Sequence, residues 1–372
     1  MDFDFSQDEK MIREQVRKML SARCDSGAVR SVFEGREAYA SHVWQGLVEM
    51  GVMATAIPEE YGGVGAGYPS LCLVAEQLGA HLAPTPFSSS VYLATEALLL
   101  FGTEAQKQAW LPRLAAGEII GTLAVTETVA QATADSIQLA FADGGLSGAK
   151  LIVPDGGIAD FALVLARANG GALGLYITDL QQDSVTREAV ATVDPSRNSS
   201  SITFAQSSAQ LLGAAPDQGW SQLQQVLDRA AVLLAFEQLG GAQAALDMAV
   251  NYAQERFAFG RPIGSFQALK HMMADMYVAL KLAESNCYYA AWALATGSAE
   301  LPLAAATARV AAIQAFQLCA RDNIQVHGGM GFTWEFDCHL FYRRSNYLTL
   351  QLGGLAEWEN KLVDRLPAGE AA

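Results

Sequence analysis

Basic residues are scarce in this chain: 24 Lys and Arg stand against 39 Asp and Glu, a formal charge of −15. A surface that negative repels phosphate backbones, which argues against nucleic acid as a partner. It also requires any anionic ligand to be held by local basic groups and helix N-termini. Cysteine is sparse as well. Cys24, Cys72, Cys287, Cys319 and Cys338 form no Cys-x-x-Cys pair and are odd in number. They read as reduced thiols of a cytoplasmic protein, not as a disulfide frame or a zinc site. The five histidines show no ligand spacing, so no metal is expected. Charge or turn residues interrupt the apolar stretches, so no membrane insertion is expected. The N-terminal MDFDFSQDEK is acidic and polar, unlike a signal peptide. A glycine-rich strand–loop–helix unit is missing, which excludes a Rossmann domain. No internal repeat is found, and the tail PAGEAA is expected to fray.

What is present is apolar bulk. Half of the 372 residues are hydrophobic, enough for two or three domains or layers. Residues 1–118 read as helical. Ser6 precedes Gln7, Asp8 and Glu9, an N-cap followed by acids. Met11, Ile12, Val16, Met19 and Leu20 then recur at helical spacing. Trp44, Leu47, Val48 and Met50 predict a second helix ended by Gly51. IPEEYGGVGAGYPS reads as a loop, SLCLVAEQLGAHLA and YLATEALLLFG as buried helices, and EAQKQAWLPRLAAGE closes the region.

The texture changes over 119–215. IIGTLAVTE, SIQLAFADGGLSGAKLIVP, DFALVLARANGGALGLYITDL and SSITFA are β-rich runs separated by turns, the pattern of a small β-barrel or sandwich. Over 216–372 the helices return and are long. One stretch, from Leu223 to Gly260, carries no proline. An Ala-rich antiparallel bundle is predicted, with close packing between helices or subunits.

Several segments carry chemistry, and each also has a plain reading. Pro58-Glu59-Glu60-Tyr61-Gly62-Gly63 is a turn. Leu123-Ala124-Val125-Thr126-Glu127 is an ordinary strand end. Glu255-Arg256-Phe257-Ala258-Phe259-Gly260-Arg261-Pro262-Ile263-Gly264-Ser265-Phe266-Gln267 is a helix end with an Arg that suits the dipole. Gln325-Val326-His327-Gly328-Gly329-Met330-Gly331-Phe332 is a helix C-cap and a tight turn whose glycines let backbone amides approach a phosphate. His327 is open to a catalytic or a structural reading.

Taken together, in this order and over nearly the whole chain, these segments resemble the acyl-CoA dehydrogenase family. The resemblance implies a mainly α fold with a central β-barrel: an α-helical domain, a β-barrel domain and a C-terminal four-helix bundle. It implies FAD, bound between subunits of a homo- or hetero-oligomer built as a dimer of dimers. By resemblance, Val125 and Thr126 face the flavin, with hydrogen bonds to its polar edge. Arg256 pairs with the pyrophosphate, Phe259 touches the adenine side and Gln267 bonds nearby. Gln325, Val326, Gly328 and Gly329 pack on the pyrophosphate and ribityl chain. The same resemblance makes His327 structural. It implies an acyl-CoA substrate, α,β-dehydrogenation, and an electron-transfer flavoprotein as acceptor.

The family reaction needs a carboxylate base opposite the flavin. Of the two family positions for it, one falls here on Leu352 and the other on Ala230, and neither side chain takes a proton. Glu237 lies seven residues beyond Ala230, roughly two turns along one helical face. It is flanked by Ala235, Phe236, Leu239 and Gly240, and an unpaired carboxylate in such surroundings is costly. Glu237 is therefore either the base or the structural partner of an Arg. Other departures are the loss of the family's Gly-Ser in the stretch Thr128-Val129-Ala130-Gln131-Ala132-Thr133, and Ile152-Val153-Pro154 where the family has Trp-x-Thr. They suggest an unusual substrate, a bulky steroid or alicyclic acyl-CoA. The alternative is a non-catalytic subunit that completes the FAD site of a partner. A flavin oxidase of this fold, acting on something other than a CoA ester, is a third reading.

Overall fold

The computed structural model describes residues 4–129 and 132–366. Ala130 and Gln131, within the stretch where the Gly-Ser is replaced, and the tail 367–372 lie outside the described residues.

The N-terminal third is helical: α1 (Gln7–Arg23), α2 (Ser26–Phe33), α3 (Ser41–Glu49), α4 (Gly67–Ala80), α5 (Glu96–Phe101) and α6 (Glu104–Ala115). α1 begins where the sequence predicts. Ser6 accepts from the Glu9 amide (3.3 Å) while Glu9 accepts from the Ser6 amide (2.6 Å), a reciprocal cap. Val16 and Leu20 form its buried face. α3 buries Val43, Trp44 and Leu47, and the chain leaves it through Gly51 at φ 68°. α2 is not marked in the sequence. The buried segment Ser88–Thr95 is wound as a π-helix, not an α-helix, and runs directly into α5.

The strands are β1 (Gly121–Ala124), β2 (Ala140–Ala142), β3 (Gly145–Pro154), β4 (Phe161–Ala168), β5 (Leu173–Asp179), β6 (Val185–Ala189), β7 (Ser199–Ser208) and β8 (Gln210–Leu211). They form one sheet in the order β6-β7-β3-β2-β4-β5-β8. β1 pairs parallel with the Phe161–Val164 part of β4, and β2 pairs parallel with Arg167 and Ala168. β1 and β2 therefore lie end to end along one side of β4, and the described residues between them are outside the ladder.

The expected barrel is corrected here: the sheet is a curled half-barrel whose edge strands β6 and β8 do not pair. Closure requires two edges that can run along each other. β8 has two residues, and β6 exposes Thr186, Glu188 and Ala189 to solvent.

The remaining elements are α7 (Gly219–Glu255), the hairpin β9 (Phe257–Ala258) and β10 (Arg261–Pro262), α8 (Gln267–Thr296), α9 (Leu301–His327), α10 (Cys338–Leu350) and α11 (Leu355–Arg365). By contacts the chain forms two compact units: Met1–Val29, Tyr68–Ala83 and Ala231–Ala372 in one, Arg30–Gly67 and Pro84–Ala230 in the other. In the first, α4 and α7 meet backbone to backbone. A Cβ on Gly79 would sit 1.8 Å from the Glu237 carbonyl oxygen, and one on Gly240 would sit 1.8 Å from that of Glu76. Glycine is required at both places, and the crossing fixes α7 at Glu237. All five cysteines are buried and none is in a disulfide. One stretch, Leu301–Phe332, is long and apolar enough to cross a membrane by length and composition, and 61% of its most apolar window is buried inside the protein.

Candidate functional site

The first compact unit carries a pocket of about 330 Å³ at the ends of α7 and α9. It is lined by Tyr252, Arg256, Ile263 and the run Val326, His327, Gly328, Gly329 and Met330. Two turns build it. After α7 the chain reverses through Phe259 (φ 52°) and Gly260 (φ 74°), and the Ile263 amide returns to the Arg256 carbonyl at 2.8 Å. After α9 it turns at Gly328 with φ 60°. His327 joins the two ends: its ring stacks on Tyr252 at 3.9 Å, and Nδ1 lies 2.9 Å from the Asn323 carbonyl. Burial pushes its pKa down, so the imidazole is neutral near pH 7, a packing group and not an anion-binding charge.

Four predicted residues meet in this pocket: Arg256, Val326, Gly328 and Gly329. The exposed Arg256 guanidinium makes no hydrogen bond or ion pair among the described residues. A Cβ on Gly328 or Gly329 would meet nothing within 4 Å, so the turn leaves open space on its Cα side, while the Gly328 amide donates to the Gln325 carbonyl. Phe259 is 95% exposed at the hairpin tip, Gln267 is the exposed first residue of α8, and Gln325 is exposed one residue before Val326. None of these three lines the pocket. Tyr252 lines it without having been singled out in the sequence, and Ile263 and Met330 line it from within the two motifs, where neither was given a role.

Val125 and Thr126 lie in the second unit, where the chain leaves the β4 edge. The Thr126 carbonyl accepts from the Leu151 amide at 2.7 Å. Its own amide and hydroxyl have no hydrogen-bond partner among the described residues. Beside it is an ion pair that the sequence reading passed over. The fully buried Lys150 donates to the Glu127 carboxylate at 2.6 Å and to the Val125 carbonyl at 2.9 Å. Burial drags the Lys150 pKa down to about 8 against the opposing pull of Glu127. The signal was a single charge inside the apolar run Ala149-Lys150-Leu151-Ile152-Val153.

Glu237 does not line the pocket and is 2% exposed. It lies within electrostatic reach of Arg309, which is fully buried. Burial lowers the Arg309 pKa to about 9, and the charge of Glu237 opposes that fall. Arg309 donates to Gln238 and to the Leu348 carbonyl, and to the Gln351 carbonyl at 2.8 Å. It thus holds the C-terminal end of α10, just before Leu352, which stands at φ 61° with its carbonyl bonded to the Trp358 indole at 3.1 Å. Ala230, the other family base position, is buried.

Comparison with known proteins bears on the family and the fold. Residues 6–118 match the family model for the acyl-CoA dehydrogenase N-terminal domain, and residues 217–359 match that for the C-terminal domain. The acyl-CoA dehydrogenase IpdE2 of Mycobacterium tuberculosis is 33% identical over 341 residues, 91% of this chain and 91% of that protein. Among solved structures, the ChsE4–ChsE5 complex from Mycobacterium tuberculosis matches with a TM-score of 0.89 at 26% identity, covering 99% of this chain and 100% of that one. The Tcur3481–Tcur3483 steroid ACAD matches with a TM-score of 0.87 at 27% identity, covering 96% and 97%.

Proposed function

Because the chain belongs to the acyl-CoA dehydrogenase family, we propose that it binds FAD and takes part in the α,β-dehydrogenation of a bulky acyl-CoA thioester, of the steroid or alicyclic kind. The observation that carries this reading is the pocket shared by Arg256, Gly328 and Gly329. An unengaged guanidinium beside two backbone positions without side chains suits the paired phosphates of a dinucleotide. Thr126, in the other unit, is suited to a flavin in its own right, since its amide and hydroxyl are unengaged donors for the polar edge of a flavin ring. Bound FAD supplies the hydride acceptor. Arg256 neutralises phosphate charge, the glycine turn admits the phosphates, and Thr126 orients the ring. Arg256 and Gly329 serve the flavin of a neighbouring subunit. An electron-transfer flavoprotein takes the electrons, and the setting is the cytoplasm. The steroid reading draws on the steroid ACAD and on the two-component complex among the similar structures.

The test is Arg256→Ala. Losing one charge-assisted bond to phosphate weakens FAD binding by roughly ten- to a hundredfold while the fold persists. Equilibrium dialysis of the flavin against parent and variant measures this. Equal retention removes Arg256 from the site.

A second reading, the base-lacking subunit, is favoured by a specific observation. Leu352 and Ala230 occupy the usual base positions, and Glu237 is buried in reach of Arg309. A carboxylate engaged as a counter-ion is poorly placed to take a proton from substrate. In the first reading Glu237 is the base; in the second the base comes from a partner chain.

A further inference from the structure

The β3 strand departs from regular pairing where the chain reaches the strand end at Val125–Glu127. Its register with β7 breaks between Lys150 and Val153, a bulge that includes Leu151 and Ile152. Ile152 sits at φ 52°, a conformation that costs a β-branched residue dearly, with its side chain 47% exposed. The bulge makes a set of bonds to one target. Lys150 Nζ holds the Val125 carbonyl and the Glu127 carboxylate, at 2.9 and 2.6 Å. The Leu151 amide holds the Thr126 carbonyl at 2.7 Å. Beyond the bulge, the Pro154 carbonyl accepts from the Thr122 hydroxyl at 2.6 Å. Glu127 in turn accepts from the amides of Gln138 and Leu139, at 2.8 and 3.1 Å, tying the same strand end to the start of β2. Three successive residues outside the ladder are therefore each fixed from β3.

A buried ion pair is weak support for stability, because desolvation offsets its attraction. What such a pair does supply is one conformation out of several. Bulges beside functional sites re-aim backbone in this way. We infer that Lys150, paired with Glu127 across the β3 bulge, is a positioning residue that fixes the backbone of Val125 and Thr126 for the flavin ring. This rests on the FAD reading above. Lys150 is fully buried and acts on the ring only through the strand end.

The test pairs Lys150→Met with Glu127→Gln in one chain. Both charges are removed together, so no lone charge is buried, and the amide that replaces the carboxylate keeps an acceptor oxygen for the two backbone N–H groups. The protein is studied as it assembles, with its partner chain if it takes one. FAD affinity falls roughly tenfold, the absorption bands of the bound flavin shift, and its reduction potential moves, while the thermal midpoint stays near the parent's. A double variant with parental affinity, spectrum and potential overturns the inference. So does one that only melts earlier while its flavin is unchanged, which is the signature of a merely structural pair. Should the double variant not fold, Glu127→Gln alone decides, by the same spectral shift or its absence, because it keeps an acceptor for the Gln138 and Leu139 amides while releasing Lys150 from its ion pair. A parent that takes no FAD in any assembly refutes the flavin reading and the clamp with it, whereas a flavin-loaded parent with an indifferent variant refutes the clamp alone.

Discussion

Phe259 holds a conformation its side chain disfavours. It and Gly260 both have positive φ, as a two-residue reverse turn between paired strands requires, and Ala258 pairs with Arg261 across it. Asn is the residue that suits the first position, and a left-handed non-glycine residue costs about 1–2 kcal/mol. Phe259 also leaves 95% of its surface in water. Within the single chain the strain is set against an edge contact of the ring with Phe266, centroids 6.2 Å apart, and little burial. Phe259→Asn should therefore raise stability by about 1 kcal/mol, read from the denaturant midpoint, while FAD retention in the assembly falls. A variant less stable than its parent would show that the turn is not under strain. At this scale the sequence was legible where a residue type has few reasons to be present: the Arg256 and glycine-turn residues do share a pocket. Lys150 was illegible because burial of a lone charge predicts a partner without saying which. Glu127 was in view, as part of a strand-end motif, with nothing to connect it to a strand read later in the chain.

Among elements, those with long periodic faces and marked ends were readable. α1 is framed by its capping box, α7 and α8 by long apolar faces without proline, and α9 by a proline only in its first turn, at Pro302. The π-helix at Ser88–Thr95 was not. Its residues are apolar or small all round, and the winding is settled by neighbours: Ser89 donates to Asp155 at 2.6 Å, and Ser90 accepts from the Gly121 amide at 3.3 Å. Closure of the sheet was equally hidden, since turn spacing reports strands and not whether the last one meets the first. The α10–α11 turn gives a test at this level. Arg309 bonds the Leu348 and Gln351 carbonyls there, with Glu237 as a nearby opposite charge. Arg309→Met alone removes those carbonyl bonds together with the opposite charge near Glu237 and should cost about 3–5 kcal/mol, and adding Glu237→Gln should recover the electrostatic part of it. Glu237→Gln by itself also separates the two accounts of the base. If Glu237 takes the substrate proton, flavin bleaching by an acyl-CoA slows on the order of a hundredfold or more. If it is a counter-ion, bleaching of the competent assembly proceeds at the parental rate.

The whole molecule, as one chain, is left with apolar surface where the proposed site lies. Around the hairpin and glycine turn, Phe257, Phe259, Phe332 and Trp334 are 62, 95, 76 and 52% exposed. Water-facing aromatics gathered beside one pocket mark a surface that another subunit covers. The formal charge of −15 opposes indiscriminate association, so the contact must be specific in shape. The resemblance expects that flavin sites are completed across such a contact, and it expects the usual base at Leu352 or Ala230, neither of which is a carboxylate. The last prediction rests on these two expectations. At micromolar concentration, light scattering should find an oligomer and not a monomer. The purified chain alone should bind FAD weakly or hold it without bleaching when a bulky acyl-CoA is added. Addition of a family chain that carries the base should restore bleaching, with a stoichiometry of one such chain per chain of this protein. A monomer that retains FAD contradicts the shared site. A homo-oligomer that bleaches at full rate returns the proton abstraction to this chain, and then Glu237→Gln must abolish it.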